Sequence, residues 1–169
     1  GESRTAYRNL YDFIAAYDHD AKSRIILARH LLQDGRLAEA GDVLVSSPTD
    51  DYPELRQIKA RWLVAKGDNK LAVYTLSSNL PVLAKHPAYF ALLASYYQRF
   101  GYPEQAYQTY TQLIQFDEAS ANWWAGLAIA SDQTKQWAQA KLAYQNALQL
   151  PGLNPKLVEF IKGRLKGLE

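Results

Sequence analysis

Cysteine and methionine are both missing from the 169 residues. Without thiols there is no disulfide framework and no thiolate metal site. The lack of cysteine does not choose between a reducing and an oxidising compartment. The start Gly1-Glu2-Ser3 carries no initiator methionine. It reads as a cloning or protease scar at the head of a piece of a longer protein. No apolar run approaches the roughly 18 residues that a membrane span needs. Charge of one sign is lacking too: 19 basic against 17 acidic side chains leave a formal +2, which compels no nucleic-acid partner. What is present is ordinary for a folded domain, with 48% hydrophobic and 21% charged residues.

The strongest signal is self-similarity. Ala28, Ala60, Ala94 and Ala128 are spaced 32, 34 and 34 residues apart. Twelve positions after each stands a second alanine: Ala40, Ala72, Ala106 and Ala140. Sixteen after each stands a large residue: Leu44, Leu76, Tyr110 and Tyr144. Glycine follows the first three by seven, at Gly35, Gly67 and Gly101. The spacing predicts helical pairs. The alanines mark close approach of two helices, the glycines supply a left-handed turn between them, and the large residues fill the gap between neighbouring pairs.

This pattern resembles the tetratricopeptide repeat family. The likeness is fullest from His86 to Asp117, through Phe90, Leu93, Ala94, Tyr97, Gly101, Ala106, Tyr110 and Leu113. The next unit carries Trp124, Leu127, Ala128, Ala140, Tyr144 and Ala147. It departs from the pattern at Ser131, where a bulky residue is usual, and at Lys135, where glycine is. In the first two units Arg24 and Arg56 stand at the place of Trp124. The resemblance implies an all-α solenoid of antiparallel helix pairs. The units are 19–50, 51–84, 85–118 and 119–152. Residues 1–18 match the second helix of an upstream unit, since Ala6 lies 34 before Ala40 and Leu10 lies 34 before Leu44. Residues 153–169 form a C-terminal capping helix with an apolar stripe of Leu157, Val158, Ile161, Leu165 and Leu168. Ser77 to Pro81 breaks a helix, the connection up to Pro87 reads either as a short irregular bulge or as a slight joint between the two halves of the array, and Ser47 to Asp51 is a more polar connection.

Catalytic chemistry is not indicated. His19, His30 and His86 show no helical metal-ligand spacing. Asp20 and Asp51 stand at helix starts, beside Asp18 and Asp50, where capping accounts for them. There is no phosphate loop, GxGxxG or GxSxG. The expectation is therefore no enzyme and no cofactor. Of the aromatics, Trp123, Tyr96, Tyr102 and Tyr107 are not all claimed by the repeat, and packing between helices is the reading adopted for most of them.

Proteins of this family bind peptides on a surface lined by the first helices. Carried over by spacing, the resemblance implies a groove with Lys22, Arg29 and Gln33 from the first unit and Gln57 and Arg61 from the second. Ser95, Gln98 and Arg99 follow from the third, Asn122 and Asp132 from the fourth. Arg29 and Arg61 hold equivalent places, and with Lys22 and Arg99 they make a basic strip suited to an acidic or carboxylate-bearing peptide. The family's chaperone-tail clamp is not reproduced, because arginine replaces its first asparagine. The runs Ala91 to Gly101 and Asn122 to Ala130 also resemble the repeat region of MSHA-pilus biogenesis proteins. That likeness implies a scaffold among type IV pilus-assembly components, in the periplasmic part of an inner-membrane protein of a Gram-negative bacterium. The alternative is a cytoplasmic adaptor for client peptides. The edge at Ala6, Leu10 and Phe13 is also a place for self-association.

Overall fold

The computed structural model describes residues 2–16, 20–45 and 52–168. Asp18, His19, Ser47, Asp50, Asp51 and the side chain of Ala6 lie outside the described residues. Every regular element among those described is helical. The chain divides between Pro81 and Val82 into two compact units.

The first unit contains α1 (Glu2–Ala16), α2 (Ala21–Gln33), α3 (Leu37–Val45), α4 (Pro53–Lys66) and α5 (Asn69–Ser77). Helices α2 and α3 form one antiparallel pair and α4 and α5 another, while α4 also packs against both members of the preceding pair. The second unit opens with a 3-10 turn (Leu83–Lys85). It continues with α6 (Pro87–Arg99), α7 (Pro103–Phe116), α8 (Ala121–Gln133), α9 (Trp137–Gln149) and α10 (Pro155–Lys166). Here α6 pairs with α7 and α8 with α9, α8 rests on α6 and α7, and α10 closes on α9.

The core follows the repeat. All eight spaced alanines, Ala28 to Ala128 and Ala40 to Ala140, are fully buried. So are Leu44, Leu76 and Tyr144, with Tyr110 nearly so. Each such leucine contributes about 1.5–3 kcal/mol by leaving water. Two glycines permit contacts that a side chain would block. A Cβ on Gly41 would lie 2.7 Å from the Trp62 ring, and one on Gly126 would overlap the Tyr110 ring. Starts are set locally: Asp20 caps α2 by accepting from the Ser23 N–H at 2.8 Å, and Pro53, Pro87, Pro103 and Pro155 open their helices.

All four turns within pairs share one geometry. Gly35, Gly67 and Gly101 have φ of 72°, 90° and 87°. In each, the next residue's N–H reaches back to the helix: Arg36 to the Leu31 carbonyl, Asp68 to Leu63, Tyr102 to Tyr97, all at 2.8 Å. In the last pair Lys135 takes φ 61° and Gln136 donates to the Ser131 carbonyl at 2.8 Å. This turn keeps the glycine geometry without the glycine. Ser131 is fully buried with its hydroxyl donating to the Leu127 carbonyl at 2.8 Å, so the small residue is sealed within its own helix.

The aromatics outside the repeat also pack. Tyr96 is buried edge-on to Phe100, and Tyr102 lies edge-on to Tyr97. Trp123 is half-buried, and so is Trp124, whose indole donates to the Glu118 carbonyl at 2.8 Å. Helix α1 is fastened by the buried Ile14 and by polar groups. The Tyr7 hydroxyl donates to Asp34 at 2.6 Å, and Arg36 lies over the Tyr7 ring while holding Glu39 at 2.7 Å. Leu10 is half-exposed, unlike its buried counterparts Leu44, Leu76 and Tyr144.

Candidate functional site

Within the first unit, α2 and α4 lie side by side, both first helices of their pairs. Their outward faces enclose a cleft of about 550 Å³. Arg29, Leu32 and Gln33 line it from α2, and Glu54, Gln57, Ile58, Arg61 and Ala65 from α4. The placement follows from helical spacing. Arg29 sits one residue past the buried Ala28, and Arg61 one past the buried Ala60, so each turns just off the packed face. Leu32 and Gln33 recur one turn later on the same side as Arg29. The floor is apolar, from Leu32, Ile58 and Ala65, and the walls carry two guanidinium groups, two amides and the Glu54 carboxylate.

Arg29 and Arg61 are both exposed. Two like charges on the walls of one cleft favour an anion there. A guanidinium presents a planar fork of N–H donors that matches a carboxylate. The amides of Gln33 and Gln57 can each donate and accept, which suits peptide backbone.

Of the ten residues carried over by spacing, the structure brings Arg29, Gln33, Gln57 and Arg61 together in this cleft. Lys22 is exposed on α2 but lies seven residues before Arg29, about 10 Å along the helix axis, and does not line it. Ser95, Gln98 and Arg99 belong to α6 and Asn122 to α8, in the second unit. The Ser95 hydroxyl is turned back onto the Leu92 carbonyl at 2.7 Å, and Arg99 lies over the Phe100 ring.

Asp132 has other work. Its carboxylate receives two hydrogen bonds from Arg164 of α10, both at 2.7 Å, and one from the Tyr144 hydroxyl at 3.3 Å. The pair raises the Arg164 guanidinium above its ordinary value. Burial and the neighbouring Asp132 charge push the Tyr144 phenol upward. Asp132 therefore ties α10 to α8 and α9. The sequence missed this because its partner is 32 residues away. The spacing that selects Gln57 and Arg61 also selects Glu54, which falls on the same face of α4 and lines the cleft.

Elsewhere, titration behaviour reports structure. Hydrogen bonds from Ser23 hold the Asp20 carboxyl below the usual carboxylate range, and Arg36 does the same for Glu39. Among the described residues no group of three or more His, Asp or Glu side chains could hold a metal ion, and no helix is long and apolar enough to cross a membrane.

No protein family and no curated protein matches the chain in sequence. Solved structures do match in shape. One is MamA, with a TM-score of 0.72 and 15% identity over 85% of this chain and 85% of that one. Another is the APC/C hetero-tetramer Cut9–Hcn1, with a TM-score of 0.65 and 16% identity over 83% of this chain and 29% of the other. At these identities the likeness shows the fold alone, and the fold is the all-α, tetratricopeptide-like solenoid that the spaced alanines imply.

Proposed function

We propose that the chain is a non-catalytic protein-binding scaffold, and that the cleft between α2 and α4 takes a short acidic segment of a partner. One observation carries this: Arg29 and Arg61, a repeat apart, open onto one cleft with an apolar floor. Apolar contacts supply affinity there, and the paired guanidinium groups select for carboxylates. A structural neighbour solved as a hetero-tetramer supports use of this fold in assemblies. The finer reading is a role in assembling a type IV pilus, as a periplasmic domain of an inner-membrane protein. It is supported by the run from Asn122 through Trp123, Trp124, Gly126 and Leu127 to Ala130, which resembles the MSHA-pilus biogenesis protein MshN.

The test compares the chain with an Arg29→Glu/Arg61→Glu variant shown by circular dichroism to be folded. Both are used to capture partners from a membrane extract of piliated cells, and bound segments are then measured as synthetic peptides. Capture of pilus-assembly proteins by the parent and not by the variant supports both readings. Equal capture by the two moves the binding face elsewhere. Recovery of soluble clients alone replaces the pilus reading with that of an adaptor.

A further inference from the structure

The cleft between α2 and α4 is not uniformly basic. Arg29 lies eight residues past Ala21, the start of α2, and Arg61 eight past Pro53, the start of α4, so the two guanidinium groups stand at one level. Glu54 lies seven residues before Arg61. Seven residues are two turns of helix, which puts Glu54 on the same face and about 10 Å nearer the start of α4. From α2 the described lining residues are Arg29, Leu32 and Gln33, all in its C-terminal half. Lys22, the counterpart of Glu54 one unit earlier, does not line the cleft. Positive charge therefore gathers at one end of the cleft and a carboxylate stands at the other, with Gln57 between them on α4.

Glu54 is exposed. It also suits the N-terminus of α4, where a carboxylate meets the positive end of the helix dipole. Glu104 has that same local role, since it follows Pro103 at the start of α7 as Glu54 follows Pro53. Glu104 is exposed as well, but it belongs to the second unit and does not line the cleft. The pair separates what such a residue does for its helix from what it does to a ligand.

Taking the cleft as the docking site proposed above, we infer that Glu54 makes it selective for a segment of mixed charge. Carboxylates of the segment meet Arg29 and Arg61, and a lysine or arginine about three residues beyond them meets Glu54. Three residues of extended chain cover about 10 Å, the distance along α4 from Arg61 to Glu54. A uniformly acidic run would set a carboxylate against Glu54, and like charges brought together at an interface are disfavoured. Glu54 thus acts as the repulsive element that distinguishes one acidic ligand from another.

The probes are three fluorescein-labelled peptides that share a core of two glutamates three residues apart in a background of alanine and leucine. Three residues outside the core, on both sides, stand lysines in the first, glutamines in the second and glutamates in the third. Either chain direction then presents the same charge to Glu54. Each is titrated into the full chain and followed by anisotropy. The parent should bind the Lys-flanked peptide about two- to fivefold more tightly than the Glu-flanked one, the range of an exposed ion pair. Glu54→Gln should shrink that ratio and Glu54→Lys should invert it. Glu104→Lys alters the net charge equally and should leave the ratio as it was. Circular dichroism checks that each variant is folded. The role of Glu54 is overturned if the parent prefers the Glu-flanked peptide, if the ratio survives Glu54→Lys, or if Glu104→Lys moves it as far. Arg29→Glu/Arg61→Glu tests the cleft itself through the Gln-flanked peptide. If that peptide fails to bind the parent, or binds this variant unchanged, the docking site and the role of Glu54 fall together. If its binding is lost in the variant while the ratio ignores Glu54, the docking site stands and only the role of Glu54 falls.

Discussion

Lys135→Gly should stabilise the protein. Lys135 sits at φ 61°, where its Cβ crowds the backbone, and every other described turn within a pair uses glycine there. A side chain in this conformation costs roughly 1–2 kcal/mol. Glycine gives back about 0.4–1 kcal/mol through the greater freedom of the unfolded chain. The net gain is about 0.5–1 kcal/mol, and for a chain of this size each kcal/mol moves the melting temperature by roughly 2–4 °C. Urea denaturation should therefore show a higher midpoint with an unchanged slope. The reverse change, Gly101→Ala, is a fair control, since nothing lies within 4 Å of the added Cβ and the cost is confined to the backbone. It should destabilise by about 1 kcal/mol. If Lys135→Gly lowers the midpoint, or if Gly101→Ala is neutral, the shared-turn argument fails.

Glycines inside helices should respond in opposite directions. Gly126→Ala drives a Cβ into the buried Tyr110 ring and should cost about 1–3 kcal/mol in urea titration. Gly163→Ala in α10 meets nothing within 4 Å and should gain up to about 1 kcal/mol from helix propensity. In alkali, the Tyr110 phenol is pushed up to about 12 from 10.0 by burial. Its folded value lies above the unfolded one, so its contribution is complete below pH 10 and is lost as pH rises toward 12. That loss is about 3 kcal/mol, and Tyr110→Phe should flatten this part of a stability–pH curve. Arg164→Gln removes the charged partner of Asp132 and should speed amide hydrogen exchange in α10 while leaving α6 and α7 unchanged.

The fold was legible because its rules are local and repeated. An alanine at Ala28 or Ala106 is fully buried where the period places it, and Gly67 marks a left-handed turn by its place in the period alone. Lys135 shows the limit of that reading. The turn there is held by the Gln136 bond to Ser131 and by the two helices it joins, so the pattern loses its glycine while the geometry stays. The cleft was half legible. Arg29 and Arg61 line one cleft because their helices pack, but the same spacing also selected Asp132, which α10 claims. Pairings such as Arg164 with Asp132 or Tyr7 with Asp34 join residues that no periodicity links.

The paired arginines also work as a ruler. Their separation follows how closely α2 and α4 pack, and neighbouring helices stand about 8–10 Å apart depending on the side chains at their contact. An extended peptide advances about 3.3 Å per residue, so two carboxylates about three residues apart would meet both forks at once. Selection would then act on the interval between a ligand's charges as much as on their number, and that interval is fixed by alanines buried behind the cleft, which no ligand touches.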